Sequence, residues 1–121
     1  MEIVNINGQS VAIIDASERI GSAQEILDQM ASAQYMGSSG SMVVFKESLG
    51  EDFFDLKTGF AGEVLQKFSN YRVRLAIVGD FNVYKSKALR DFIYECNKGN
   101  LVFFKRSLEE ALNALAPEVD E

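Results

Sequence analysis

The segment Ile3-Val4-Asn5-Ile6-Asn7-Gly8-Gln9-Ser10-Val11-Ala12-Ile13-Ile14 decides how the chain begins to fold. Two short β-branched runs flank Asn7-Gly8, a dipeptide that accepts the positive φ angles of a two-residue hairpin turn. The first two strands therefore pair antiparallel. Beyond them, helical repeats alternate with short apolar runs. Ser22-Ala23-Gln24-Glu25 is a capping box, in which the serine hydroxyl accepts a backbone N–H and the glutamate reaches back. Ala23, Ile26, Leu27, Met30 and Gln34 continue at helical spacing, and Gly37 is placed to stop the helix.

The same alternation runs to the end of the chain. Gly37 to Ser41 reads as a flexible loop and Met42 to Phe45 as a buried strand. A punctuated stretch from Leu49 to Gly59 leads into a helix with Phe60, Ala61, Val64, Leu65 and Phe68 on its apolar face. Val73 to Val78 is apolar on both alternations except at Arg74, the mark of a central strand covered on both sides. Ser86 caps a third helix carrying Ala88, Leu89, Phe92, Ile93 and Cys96 on one face, with Gly99 at its end. Leu101 to Phe104 is the last strand, and Ser107-Leu108-Glu109-Glu110 repeats the capping box before a short helix through Ala111, Leu112 and Leu115.

The order is β-β-α-β-α-β-α-β-α. Right-handed crossovers after the hairpin make strands two to five parallel. The expected fold is α/β: a mostly parallel five-stranded sheet with an antiparallel N-terminal edge strand. Residues 1–116 form one domain, and Pro117 to Glu121 are expected to fray as an acidic tail.

Composition narrows the function more by exclusion than by indication. The 121 residues include 12 basic and 18 acidic side chains, a net charge of −6 that opposes binding to phosphate backbones, so no nucleic-acid partner is expected. No apolar run approaches the ~20 residues that cross a bilayer, and Met1-Glu2-Ile3 leads straight into strand sequence, which points to the cytoplasm and away from membranes. Histidine is absent, which removes the commonest general base and every Ser-His or Cys-His nucleophile pair. The single cysteine, Cys96, forms no internal disulfide and no structural zinc site, and its helical spacing makes it a core thiol. No catalytic residue, metal site or cofactor is assigned.

Open parallel sheets bind ligands outside the carboxyl ends of their strands. Those ends are Asp15, Glu47-Ser48, Gly79-Asp80 and Lys105-Arg106, with the Asp55 to Gly59 loop above them. Thr58-Gly59 at a helix start offers backbone N–H groups to an anion, and Thr58 is read first as an N-cap and second as a phosphorylation site. Asp15, Glu47, Asp55 and Asp80 would be the ligands of any divalent cation, but strand-end carboxylates are also routine turn formers. Phe53, Phe54, Phe60, Phe81 and Tyr84 either close the core or form a patch for a protein partner.

The order of elements is similar to the STAS fold of sulfate transporters and anti-sigma factor antagonists. In that family a Ser or Thr followed by Gly opens the helix after the third strand, and Thr58-Gly59 stands in the matching place, with Ala61 as a second small residue. The resemblance implies a regulatory module whose binding to a partner kinase is controlled by phosphorylation of Thr58. A second resemblance runs from Phe53 to Gly99. Phe53-Phe54-Asp55-Leu56-Lys57-Thr58-Gly59, Ala61-Gly62-Glu63 and Gln66 to Arg72 form one half of it; Arg74 to Phe81 and Leu89 to Glu95 form the other. These strings look like an uncharacterised bacterial domain-of-unknown-function family, number 4180, which implies a bacterial cytosolic protein and carries no activity.

The expectation is a non-enzymatic, STAS-like regulatory or protein-interaction module, a homodimer or partner binder. Its surface comprises Asp55, Lys57, Thr58, Gly59 and Glu63, with Asp80 and Phe81 beside them. The alternative is a small-molecule or anion-binding domain, or a weak enzyme, at the same strand ends, with Arg90 or Arg72 as the anion partner.

Overall fold

The hairpin forms as its turn chemistry requires: Asn7 and Gly8 take φ angles of 50° and 81°, and β1 (Glu2–Ile6) folds back on β2 (Gln9–Ile13) with Ile6 opposite Gln9. The computed structural model describes residues 1–38 and 40–118. The chain continues through α1 (Ala23–Tyr35), β3 (Ser41–Phe45), α2 (Lys46–Phe54), a 3-10 turn (Leu56–Thr58) and α3 (Phe60–Tyr71). It then forms β4 (Arg74–Val78), α4 (Lys87–Lys98), β5 (Val102–Lys105) and α5 (Leu108–Leu115). The strands lie in the order β1-β2-β3-β4-β5, antiparallel in the first pair and parallel in the rest. The mostly parallel five-stranded α/β fold is thus as expected. Of the expected acidic tail, Val119 to Glu121 lie outside the described residues, as does Ser39 of the expected loop.

Because each crossover steps one strand in the same direction, the crossing helices all fall on one face. There Ile26 and Met30 of α1, Phe53 of α2, Val64 and Phe68 of α3 and Leu89 of α4 pack on Ala12, Met42, Val44, Leu75 and Ile77. The opposite face, with Val11, Val43, Ala76, Val78 and Phe103, is covered by α5 through Ala111 and Leu115. β4 therefore sends Leu75 and Ile77 one way and Ala76 and Val78 the other, which is why it reads as apolar on both alternations.

Arg74, the exception in that strand, holds α5 in place. Its guanidinium donates to the carbonyls of Ala114 (3.1 Å) and Leu115 (2.7 Å) at the end of α5, and to the carbonyl (3.0 Å) and side-chain oxygen (2.9 Å) of Asn100. It also lies 5.4 Å from the centroid of the Phe103 ring. Helix ends leave carbonyls without intrahelical partners, and here a strand arginine satisfies two of them.

The helix starts use the expected serines. Ser22, Ser86 and Ser107 accept from the N–H of Glu25, Leu89 and Glu110 at 3.2, 3.3 and 3.1 Å. In both capping boxes the glutamate reaches one residue past the cap: Glu25 accepts from Gly21 N–H and Glu110 from Arg106 N–H. The stretch after β3 is more regular than its punctuation suggests. It is a helix broken at Gly50, whose φ of 69° and ψ of 179° are not helical, and the break turns Phe53 and Phe54 into the core.

Candidate functional site

Asp15 and Asp80 at the strand ends, and Asp55 after α2, close their own turns. Asp15 accepts from Ser17 N–H (2.8 Å), Asp55 from Lys57 N–H (3.2 Å) and Asp80 from Asn82 N–H (3.0 Å). The bonds from Ser17 push the Asp15 carboxyl below its ordinary range. Among the described residues, no three His, Cys, Asp or Glu side chains gather closely enough to hold a metal ion.

Thr58 is exposed, yet its one hydroxyl proton is shared between two carbonyls and one lone pair accepts a backbone N–H. It donates to the carbonyls of Asp52 (2.7 Å) and Asp55 (2.9 Å) and accepts from Phe60 N–H (3.2 Å), joining the end of α2, the 3-10 turn and the start of α3. The N-cap position itself belongs to Gly59, at φ 78°, so the expected cap role of Thr58 is corrected to a clamp placed one residue earlier. A shallow depression of ≈ 270 Å³ beside it is lined by Ser22, Asp52, Thr58 and Glu63, among others. Asp52 and Glu63 make that depression unfavourable for the anion expected at this helix start. Lys57 and Asp55 are exposed on the same loop.

Asp80, Phe81 and Arg90 belong elsewhere. The long connection from β4 to α4, residues 79–86, and the outer face of α4 enclose a cleft of ≈ 430 Å³. Phe81, Asn82, Tyr84, Lys85, Arg90 and Tyr94 are among its lining residues. An aromatic stack supports its floor: Tyr84 lies parallel to Phe54 with centroids 5.0 Å apart, and Phe81 meets Phe104 edge-on at 5.3 Å. Lys46 locks the loop from beneath, donating to the Asp80 carbonyl at 2.9 Å with its ammonium 4.6 Å from the Tyr84 centroid. Asn97, which also lines the cleft, accepts through its amide from Phe104 N–H (2.8 Å) and donates to Phe104 O (3.3 Å), occupying the outward groups of that residue at the edge of β5.

A family model matches residues 6–115. The chain belongs to the family described as Domain of unknown function (DUF4180). Neither the curated proteins nor the solved structures hold a significant match to it. In this DUF4180 chain the candidate residues thus divide into two places. Asp55, Lys57, Thr58, Gly59 and Glu63 surround the α2–α3 junction, whereas Asp80, Phe81 and Arg90 lie at or beside the cleft after β4. Arg72 is at neither: it ends α3 at φ 57° and precedes β4, at the opposite end of that strand from Asp80. Phe53, Phe54 and Phe60 are core residues, so the expected aromatic patch reduces to Phe81 and Tyr84, joined in the cleft by Tyr94, which is 61% exposed. Reasoning from sequence does not reach Asn82, Tyr94 and Asn97, and takes Lys85 for a solvated charge; the length of the 79–86 connection is the available signal.

Among the described residues of the DUF4180 chain, three groups have clearly displaced proton affinities, and all move away from neutrality. Asp15 is lowered; burial and then Glu95 push the Cys96 thiol up; burial and then Glu51 push Tyr84 up to about 12. None of these is poised for proton transfer near pH 7. The Tyr84 hydroxyl is buried and has no hydrogen-bond partner among the described residues. Tyr84→Phe should therefore be neutral or stabilising by about 1 kcal/mol in a urea titration, because it removes an unsatisfied buried group. Between pH 10 and about 12 the unfolded tyrosine ionises while the folded one stays protonated, so stability falls as pH rises. The phenylalanine variant should lose that part of the alkaline decline, measurable as a smaller stability difference across the window.

Proposed function

We propose that the chain is a non-catalytic protein-interaction module whose recognition surface is the cleft formed by Phe81, Tyr84, Arg90 and Tyr94. The observation that carries this reading is the cleft itself, where a half-buried aromatic floor and an arginine lie beside the exposed Tyr94. Tyrosine and arginine over a packed aromatic base are the side chains that dominate protein interfaces. The absence of histidine and the direction of the resolved proton affinities support binding over catalysis. The same reading places the module in the bacterial cytoplasm, where a chain with one cysteine needs no disulfide. A photo-crosslinking residue at Asn82, expressed in bacterial cells, should trap one discrete protein, either a partner or a second copy. A chain that stays uncrosslinked and instead carries a small-molecule adduct would replace this reading with the ligand-binding one.

STAS-like regulation at Thr58 is a second reading, favoured by the three hydrogen bonds of its hydroxyl. Phosphorylation would remove the donated proton and set a dianion near Asp52 and Glu63, loosening the α2–α3 junction. Thr58→Glu should therefore lower stability by about 1–2 kcal/mol while Thr58→Ser costs less than about 0.5. Equal losses in chemical denaturation would remove the hydroxyl from this role.

A further inference from the structure

We propose that the cleft is the centre of a longer groove that takes an extended acidic segment of a partner protein, an inference that rests on the interaction reading above. Two shallow depressions continue the cleft. One, of ≈ 290 Å³, shares Asn82 with it and adds Gly79, Asp80 and Arg106; the other, of ≈ 520 Å³, shares Arg90 and Tyr94 and adds Lys87 and Asp91. The groove thus crosses from the carboxyl end of β4 over the outer face of α4.

Its charge is the reverse of the molecule's. The whole chain carries −6, yet Lys85, Arg90 and Arg106 line the groove and their side chains form no ion pair within 4.0 Å among the described residues, although Glu110 accepts from the Arg106 backbone N–H. Lys87 is neutralised by Asp91 at 2.7 Å, and the nearby opposing charges, Asp80 in the groove and Glu110 beside Arg106, are each engaged with a backbone N–H. At physiological salt the screening length is about 8 Å, so a ligand in the groove responds to these three cations more than to the distant acidic surface. An acidic segment is attracted here and repelled elsewhere, which fixes where it docks. Phe81, Tyr84 and the exposed Tyr94 give its apolar side chains a surface to cover. Strand addition at the neighbouring edge is disfavoured, because an incoming strand would have to displace Asn97 from the outward N–H and C=O of Phe104.

A fluorescein-labelled random copolymer of glutamate and tyrosine, followed by fluorescence anisotropy, tests this directly. The wild-type protein should bind it saturably at low salt and more weakly as salt is raised. The Lys85→Glu/Arg90→Glu variant should bind about tenfold more weakly and acquire affinity for a lysine–tyrosine copolymer instead. Both positions are exposed, and an unchanged circular dichroism spectrum and melting curve would establish that the variant folds. Arg106→Glu provides an independent second loss from the other end of the groove. Absence of saturable binding, equal binding by the charge-reversed variant, or tighter binding of ATP or a short RNA would overturn the proposal. Crosslinking at Asn82 separates the two levels. A partner still captured by the charge-reversed variant would overturn the acidic segment and leave the interaction module standing, whereas no captured protein at all removes both.

Discussion

Replacing Arg74 with leucine should lower stability by about 3–4 kcal/mol and the melting midpoint by roughly 10–15 °C. The side chain sits in a central strand, but its four hydrogen bonds go to Asn100 and to the last carbonyls of α5. Removing it leaves the Ala114 and Leu115 carbonyls in part-buried surroundings with one partner fewer each, and takes a cation from the Phe103 ring. The consequence reaches further than those contacts. α5 packs on β3, β4 and β5 over the second face of the sheet, so loosening its end wets Val43, Ala76 and Phe103. Arg74→Lys should recover little, since an ammonium lacks the planar fork that reaches Asn100 and the helix end together. Thermal and urea unfolding of the three proteins would check this. A leucine variant within about 1 kcal/mol of wild type would mean that water satisfies the helix end as well as the guanidinium does.

The second large effect is expected at Gly79, where the backbone φ is unexceptional and the obstacle is contact. A Cβ there would lie 2.6 Å from Lys46 Cβ and 3.0 Å from its Cδ. Lys46 Cβ is fixed by the backbone at the β3–α2 junction, and Gly79 N–H is tied to Lys105 O at 3.0 Å, so neither side yields easily. Gly79→Ala should cost about 2–3 kcal/mol, the range for overpacking a close contact. It should also pull Lys46 from the Asp80 carbonyl and the Tyr84 ring, changing the cleft. The check is a double-mutant cycle. In a Lys46→Gly background the alanine at position 79 has no Cβ to meet, and most of its cost should vanish. Additive losses would place the strain elsewhere.

What the sequence made legible is what local chemistry decides. Asn7-Gly8 dictates its turn through φ, and Ser22, Ser86 and Ser107 announce their helices through hydrogen bonds that span three residues. The two-sided apolar pattern of residues 73–78 follows from burial on both faces. α2 was not legible, because it starts directly where β3 ends, at Phe45, with no side-chain cap, and Gly50 interrupts its period. The roles of Arg74 and Asn97 depend on partners that tertiary packing alone brings near: the end of α5, some 40 residues away, and the outer edge of β5. For the site, Asp80, Phe81 and Arg90 could be named from the rule that ligands gather at strand ends. Tyr84 and Tyr94 could not be joined to them before α4 was docked against β5. Thr58 stands out in the sequence as a hydroxyl before a helix, but its bonds reach three backbone groups that no motif reveals.

The amide of Asn97 also bears on how this molecule behaves in a crowded solution. β5 is the last strand of its sheet and carries Val102, Phe103 and Phe104 in a row, the composition from which fibrils grow. A bare edge of that kind recruits identical chains, each new layer offering the next its own unpaired groups. By returning one carboxamide from α4 to that edge, the fold occupies the outward N–H and C=O of Phe104 within one chain. A second chain adding at β5 would meet that pair already bonded, so growth of the sheet across this edge would first have to displace Asn97.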